Sequence, residues 1–223
     1  MTDQSKDGPP DGPATVAEVE LIAAERVIFF SDAVVAIAIT LLALGLPLPH
    51  GSTNTDVWRS LGTGRDAYIA FLISFVVIGA HWRTHNRLFR AVVKLDATAI
   101  SLNMVWLLMI IVTPYATRIL SGNGGFGVRF SLYAAIQVVT LVTFWLMSRH
   151  VRNGGLLPPG TPARVSAADN VFVLALAVSF AISIPIAFIP AVSERVYLIW
   201  VAAVIVLRWV RRAQRWTGRE PSG

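Results

Sequence analysis

Apolar residues dominate six stretches of the chain, and polar or charged residues separate them. A membrane span needs about 20 mostly apolar residues to cross about 30 Å of hydrocarbon. The pattern therefore predicts six membrane-spanning helices and an all-α fold. The predicted spans cover residues 26–46, 67–89, 97–120, 130–147, 170–192 and 196–210.

Prolines mark where some of these spans end. Pro47 and Pro49 follow the first span, and proline stops a helix because it lacks a backbone donor and clashes with the preceding turn. We expect Pro185 and Pro190 to kink or end the fifth span in the same way. Only residues 193–195 separate the fifth span from the sixth, which predicts a tight hairpin between them.

The composition agrees with a membrane protein. Of the 223 residues, 55% are apolar and 14% are charged, and the mean hydropathy is +0.62, whereas soluble domains carry about 25% charged residues. The chain has no cysteine, which excludes disulfide frameworks, cysteine zinc sites and thiol catalysis. Residues 1–20 lack the pattern of a signal peptide. We expect them to be a mostly disordered cytosolic tail with a helix beginning near Thr15. A transmembrane domain at 21–212 and a basic cytosolic tail at 213–223 are expected to follow.

The basic residues predict the orientation in the membrane. The net charge is +6, and fourteen of the 19 lysines and arginines lie on the side that holds both chain ends in a six-span arrangement. Because the cytosolic side of a membrane protein is rich in Lys and Arg, both termini are expected in the cytosol. The basic residues lie between apolar runs and form no soluble patch, so they do not indicate a nucleic-acid partner.

No motif indicates catalysis or metal binding. A TVGYG-like filter, an HEXXH motif and paired carboxylates are all missing from the sequence. His81 and His85 are four residues apart and could share a helix face, but without a nearby acid we interpret them as polar packing residues. Ser31, Asp32 and His85 lack the nucleophile elbow and oxyanion device of a hydrolase. The glycine-rich stretch 122–127 is interpreted as an extracytosolic loop. We predict a protein that is not an enzyme and has no cofactor.

Polar residues in the first three spans fall at a similar depth. Asp32 lies about 9 Å along the helix from Arg26 at 1.5 Å per residue, and an unpaired carboxylate there costs several kcal/mol. His85 and Asn103 lie at comparable depth on the second and third spans. We predict one buried hydrogen-bonded cluster, which Arg26 closes by pairing with Asp32. Its other members are Ser31, Asp32, His85, Asn103, Trp82 and Trp106. A purely structural role is favoured over contact with a substrate.

One face of the first span could line a pore. At 100° per residue, large apolar residues share a narrow stripe, and small residues beside it allow another backbone to come close. The large residues are Phe30, Ile37, Leu41 and Leu44, and the small ones are Ala33, Ala36, Thr40 and Ala43. Periodicity alone favours ordinary packing. If several first spans met on an axis, they would instead form a dry constriction that sorts ions by the cost of losing water and gates by dewetting.

Three motifs resemble the transmembrane-protein-175 family of potassium channels, and the resemblance covers about residues 21–120. They are Arg26-x-x-x-Phe30-Ser31-Asp32 with AVVAIAITLLALGLPLP after it, Trp82-x-x-His85-x-x-x-Phe89, and Asn103-Met104-Val105-Trp106 with Pro114 downstream. The resemblance implies a six-span subunit and, because the first motif occurs once, a homotetramer with the first spans around a central pore. It places the Phe30, Ser31 and Asp32 string in a packing network around the pore helix.

The same resemblance implies the function. Ile37, Leu41 and Leu44 would form the constriction, and Thr40 would lie beside the Ile37 layer, where its hydroxyl could help a partly dehydrated ion. We expect a potassium-preferring cation channel with passive flux in the cell (inner) membrane. Its expected partners are copies of itself, the lipid bilayer and potassium ions. Two alternatives stay open, namely a proton-coupled transporter with Asp32 and His85 as a relay, and a non-conducting membrane scaffold.

Overall fold

The protein is an all-helical bundle. The structure is a computed structural model that describes residues 16–158 and 163–191, together with residues 196, 198–200, 202, 203, 205 and 209. Within these residues it contains the helices α1 (Val16–Ala43), α2 (Asn54–Thr63), α3 (Arg65–Phe89), α4 (Ala97–Leu120), α5 (Phe126–Asn153) and α6 (Ala163–Ile186). The fold class predicted from the sequence is confirmed at this level.

Four of these helices are long and apolar enough to cross a membrane, namely α1, α3, α4 and α5. They correspond to the first four predicted spans. The fifth span corresponds to α6, whose apolar part covers Asn170–Ile186. In the predicted sixth span, residues 198–200, 202, 203, 205 and 209 are helical, but the other residues of the span except 196, the predicted hairpin at 193–195 and both predicted tails, apart from residues 16–20, lie outside the described residues. The count of six and the side of each terminus therefore stay predictions.

The helix ends follow local chemistry, with some differences from the prediction. Pro47 and Pro49 come after the last turn of α1, and α6 ends one residue after Pro185. The carboxylate of Asp96 caps α4 by accepting a hydrogen bond from the backbone N–H of Ala99 at 2.8 Å. Helix α1 starts at Val16, next to the predicted helix start at Thr15, and the predicted apolar span begins ten residues later, at Arg26.

Helices α4 and α5 form the centre of the bundle. Helix α4 packs against α5, α5 packs against α6, and α1 packs against α3 and α4. The central contacts bury large side chains, and the largest fully buried ones include Trp106, Tyr133, Phe130, Ile110 and Met147. Helix α1 therefore lies at one side of the subunit and is held on one face only.

Candidate pore helix and its polar cluster

Helix α1 has a clearly buried face. Small or medium side chains recur on it at helical spacing and pack toward α3 and α4, since the exposed fraction of each is 4% or less. These residues are Ala24, Ser31, Val35, Ala38 and Leu42. At 100° per residue they fall within a sector of about 60°. The residues on either side of this sector are half-buried, and the far side of the helix is exposed.

The opposite face of α1 carries the predicted pore residues. Ile37 is 59% exposed and Leu44 is 80% exposed, and Leu41 and Thr40 are exposed as well. The hydroxyl of Thr40 donates to the backbone oxygen of Ile37 at 2.8 Å. Because that bond uses only the hydroxyl proton, the Thr40 oxygen can still accept a bond from outside the helix. Within one subunit, this large apolar stripe has no covering element among the described residues.

A hydrogen-bonded chain joins α1, α3 and α4 at the level predicted from the sequence. The side-chain amide of Asn103 donates to the hydroxyl oxygen of Ser31 at 2.9 Å, and its oxygen is 2.8 Å from Nε2 of His85. The hydroxyl of Ser31 in turn donates to the backbone oxygen of Val27 at 2.8 Å. All three side chains are at most 1% exposed. The chain thus satisfies polar groups that would otherwise be costly in an apolar interior.

Aromatic rings hold His85 in place. Its imidazole stacks on the ring of Phe89 with centroids 4.1 Å apart and on the ring of Trp106 with centroids 4.3 Å apart. Stacking on both rings and a hydrogen bond to Asn103 fix the ring orientation. The packing role that the sequence favoured for His85 is therefore the role that its contacts fit.

Asp32 is bound to the same region from the edge of the bundle. Its carboxylate accepts a hydrogen bond from the indole N–H of Trp82 at 2.8 Å. Both side chains are partly exposed. This bond connects α1 to α3 about one turn from the buried chain, so Ser31 and Asp32 together fix the rotation of α1.

Two predicted members lie outside the cluster. Arg26 and Phe30 are both exposed, and no ion pair connects Arg26 to Asp32 in the described structure. The reason is helical geometry. Six residues correspond to 600°, so the two side chains leave the helix about 120° apart.

The structure also contains polar contacts that the sequence reasoning missed. His81 is bonded to Gln137 at 3.0 Å, and a hydroxyl trio of Thr117, Ser74 and Tyr133 joins α4, α3 and α5 through bonds of 2.7 Å and 3.2 Å. His81 and His85 therefore have different partners, and the described residues contain no group of three or more metal-ligating acids, histidines or cysteines. Polar residues at 137 and 74 inside apolar runs were the available signal.

One further contact lies at the bundle end where α4 begins. The carboxylate of Asp96 is 2.7 Å from Nε2 of His150 on α5. The capping bond from the backbone, and after it the contact with His150, lower the pKa of Asp96 from its ordinary value of 3.8. The contact ties the start of α4 to the last turn of α5.

Comparison with known proteins finds relatives of this chain among ion channels. Residues 26–114 match the family model described as endosomal/lysosomal potassium channel TMEM175. A potassium channel from Streptomyces collinus is 29% identical over 171 residues, which cover 74% of this chain and 83% of that protein. The human endosomal/lysosomal proton channel TMEM175 is 32% identical over 97 residues, which cover 41% of this chain and 18% of that protein.

Solved structures support the fold. A crystal structure of a lysosomal potassium-selective channel TMEM175 homologue from Chamaesiphon minutus superimposes with a TM-score of 0.69. It is 24% identical to this chain, and the match covers 84% of this chain and 96% of that one. The helical arrangement described above is therefore one that occurs in an experimentally determined structure.

Proposed function

We infer the function of this chain from the premise that it belongs to the TMEM175 family, and we conclude that it is a potassium channel. The family model matches the part of the chain that contains most of α1, all of α2 and α3, and most of α4. The match to the bacterial potassium channel extends over most of both proteins. The chain is a multi-pass membrane protein, because four of its described helices meet the length and hydropathy that a span requires.

We propose that four copies assemble with α1 around a central axis. The observation that carries this proposal is the open face of α1, where Ile37, Leu41 and Leu44 are exposed although the helix is held firmly from behind. A helix that only had to face lipid would need no such fixed rotation. The Ser31 and Asp32 bonds set that rotation, so each copy would present the same stripe to the axis.

The proposed pore acts through its width. Rings of Ile37, Leu41 and Leu44 would form a dry constriction, and an ion that passes it must lose part of its water. Potassium loses water more cheaply than sodium, so an apolar neck favours potassium without carbonyl ligands, and it can gate by dewetting. The open acceptor of Thr40 would partly replace the lost water beside the Ile37 layer. Flux would be passive, down the electrochemical gradient.

A flux assay with a matched pair of variants tests the proposal. The purified protein in liposomes should pass potassium above the level of empty vesicles. Ile37→Asn should then change the conductance or the potassium-to-sodium permeability ratio. The control is Ile111→Asn on α4, the same substitution at a side chain that is 49% exposed. It should leave both quantities near those of the parent protein.

Two outcomes would contradict the proposal. Equal effects of the two variants on yield and permeation would mean that the stripe is ordinary packing surface. Absence of potassium flux from a correctly folded protein would favour the scaffold alternative.

The proton-relay alternative has less support from the geometry. Asp32 accepts a bond from Trp82, and His85 is bonded to Asn103, so the hydrogen bonds of the two proposed relay groups lead to different partners. The same liposomes test it directly with a pH-sensitive dye inside. Saturable, strongly pH-dependent flux that disappears in His85→Gln would favour a proton-coupled carrier over a potassium channel.

A further inference from the structure

The short helix α2 occupies a special place at one end of the bundle. It lies between the last turn of α1 at Ala43 and the first turn of α3 at Arg65, and only Gly64 separates it from α3. Two spanning helices end at this level, so α2 lies where the hydrocarbon core gives way to lipid headgroups. The hydropathy pattern does not predict this helix, because its ten residues contain few apolar ones.

Side-chain bonds hold the segment around α2 against the bundle. The hydroxyl of Tyr68 on α3 donates to the backbone oxygen of Pro47 at 3.0 Å. The backbone N–H of His50 donates to the hydroxyl oxygen of Ser60 on α2 at 3.1 Å. The connection between α1 and α3 is therefore folded back on itself and does not extend as a free loop.

The segment exposes large apolar side chains in spite of these bonds. Trp58 is 73% exposed and Leu48 is 86% exposed. On the wheel of α2, Val57, Leu61 and Trp58 occupy a sector of about 100°. Val57 and Leu61 are half-buried, and Trp58 lies at the open edge of this sector. Tryptophan is enriched at membrane–water interfaces, where its ring has apolar surroundings and its N–H can reach a polar partner.

The surroundings of Trp58 match the membrane–water interface. Arg59 follows Trp58 on α2 and Arg65 begins α3. Both are largely exposed and pair with neighbouring acids, Asp56 and Asp66, and side chains of this length can also reach lipid phosphates. Further along α3, the apolar residues Ile69 and Leu72 are exposed. Arginine and tryptophan at the end of a span, with exposed aliphatic residues further along it, are typical of the boundary between headgroups and acyl chains.

We propose that α2 is an interfacial anchor, with Trp58 and Leu48 inserted at the boundary between headgroups and acyl chains of the bilayer. The inference goes beyond potassium conduction and does not depend on it. Residues 44–53 connect α1 to α2, and the Tyr68 hydroxyl bonds this connection to α3. An anchored α2 therefore limits how far the end of α1 can move in depth.

Spin labelling tests the depth of α2, since the chain contains no cysteine. Trp58→Cys and Arg59→Cys place a nitroxide on neighbouring residues that leave α2 about 100° apart. The full chain is reconstituted in vesicles of phosphatidylethanolamine and phosphatidylglycerol. At each position, the collision rate of the nitroxide with apolar oxygen is divided by its collision rate with a water-soluble nickel chelate. This ratio should be higher at position 58 than at position 59.

Two results would overturn the anchor. Equal access of the nickel chelate to both positions would place Trp58 in water. Protection of position 58 from both reagents, with spin–spin broadening, would place it between subunits.

A second measurement leaves position 58 aromatic. The difference in tryptophan fluorescence between the parent protein and Trp58→Phe is the emission of Trp58. Brominated lipids should quench this emission, and aqueous acrylamide should hardly quench it. The reverse pattern, or quenching by neither reagent, would contradict the anchor even if the cysteine variants failed to fold.

Discussion

The buried chain of Asn103 gives the most direct test of what holds α1. Asn103→Leu keeps the approximate shape of the side chain but removes both of its hydrogen bonds. The ring N–H of His85 then has no partner in a dry interior, which costs about 1 to 3 kcal/mol. The bond to Ser31 adds about 0.6 kcal/mol, a typical value for a side-chain hydrogen bond between membrane helices. The expected loss in the free energy of unfolding is about 2 to 4 kcal/mol.

A second substitution separates this reasoning from a simple packing defect. In the Asn103→Leu background, His85→Phe removes the unpaired N–H and leaves a ring that can still stack on Phe89 and Trp106. Replacing both partners of a buried hydrogen bond by apolar groups is often nearly neutral. The free energy of unfolding of the double variant should therefore exceed that of Asn103→Leu alone by at least about 1 kcal/mol.

Reversible unfolding in mixed micelles of dodecyl maltoside and dodecyl sulfate measures these differences. Ser101→Ala is the control on the same helix, because the Ser101 hydroxyl is exposed and donates to the backbone oxygen of Ala97, one turn earlier in α4. It should change the unfolding free energy little. The single variants Asn103→Leu and His85→Phe are measured beside the double variant. If the double variant lost as much unfolding free energy as the two single variants together, the hydrogen-bond explanation would be refuted, and shape alone would explain the cost of changing Asn103.

Three further predictions concern the ends of the helices and the edge of the cluster. Because folding lowers the pKa of Asp96, its carboxylate stabilises the fold above pH 3.8, and this stabilisation is lost as the pH falls through the pKa that Asp96 has in the folded protein. Asp96→Asn should remove this acid dependence from thermal unfolding curves. Arg129→Gln removes the guanidinium that donates to three backbone oxygens of the turn between α4 and α5, so amide exchange in residues 121–125 should be faster by a factor that corresponds to about 1 to 2 kcal/mol. Trp82→Phe leaves Asp32 without its indole donor and should lower stability more than Asp32→Asn, because the asparagine is uncharged and its oxygen can still accept that bond.

Much of the fold could be predicted from the sequence because a bilayer imposes a simple rule on length and hydropathy. The third predicted span coincides with α4, and the second differs from α3 by two residues at its start. Helix α2 was missed because hydropathy detects apolar runs, whereas α2 is stabilised by its Thr53 cap and its position at the bundle end. The start of α1 near Thr15 was predictable, although the apolar run begins only at Arg26, because charged residues can continue a helix without continuing an apolar run.

The candidate site could also be predicted only in part from the sequence. Depth along each helix follows from residue counting, and the structure brings Ser31, His85 and Asn103 into contact as expected. Rotation around each helix does not follow from counting alone. The bond between His81 and Gln137 depends on how α3 and α5 face each other, which only the packed bundle determines. The assignment of Ile37, Leu41 and Leu44 to a pore came from the family resemblance, and it stays a prediction for the assembled channel.

The bond between Asp32 and Trp82 has a consequence for biosynthesis. The two residues are 50 positions apart, so α1 leaves the ribosome and enters the translocon before its partner has been made. During that interval the carboxylate has no indole donor. Insertion of α1 then depends on the aliphatic and aromatic residues around Asp32, which must offset a cost of at most about 3.5 kcal/mol, the value for an acid at the centre of a span. The length and high hydropathy of α1 thus serve the nascent chain as well as the finished protein.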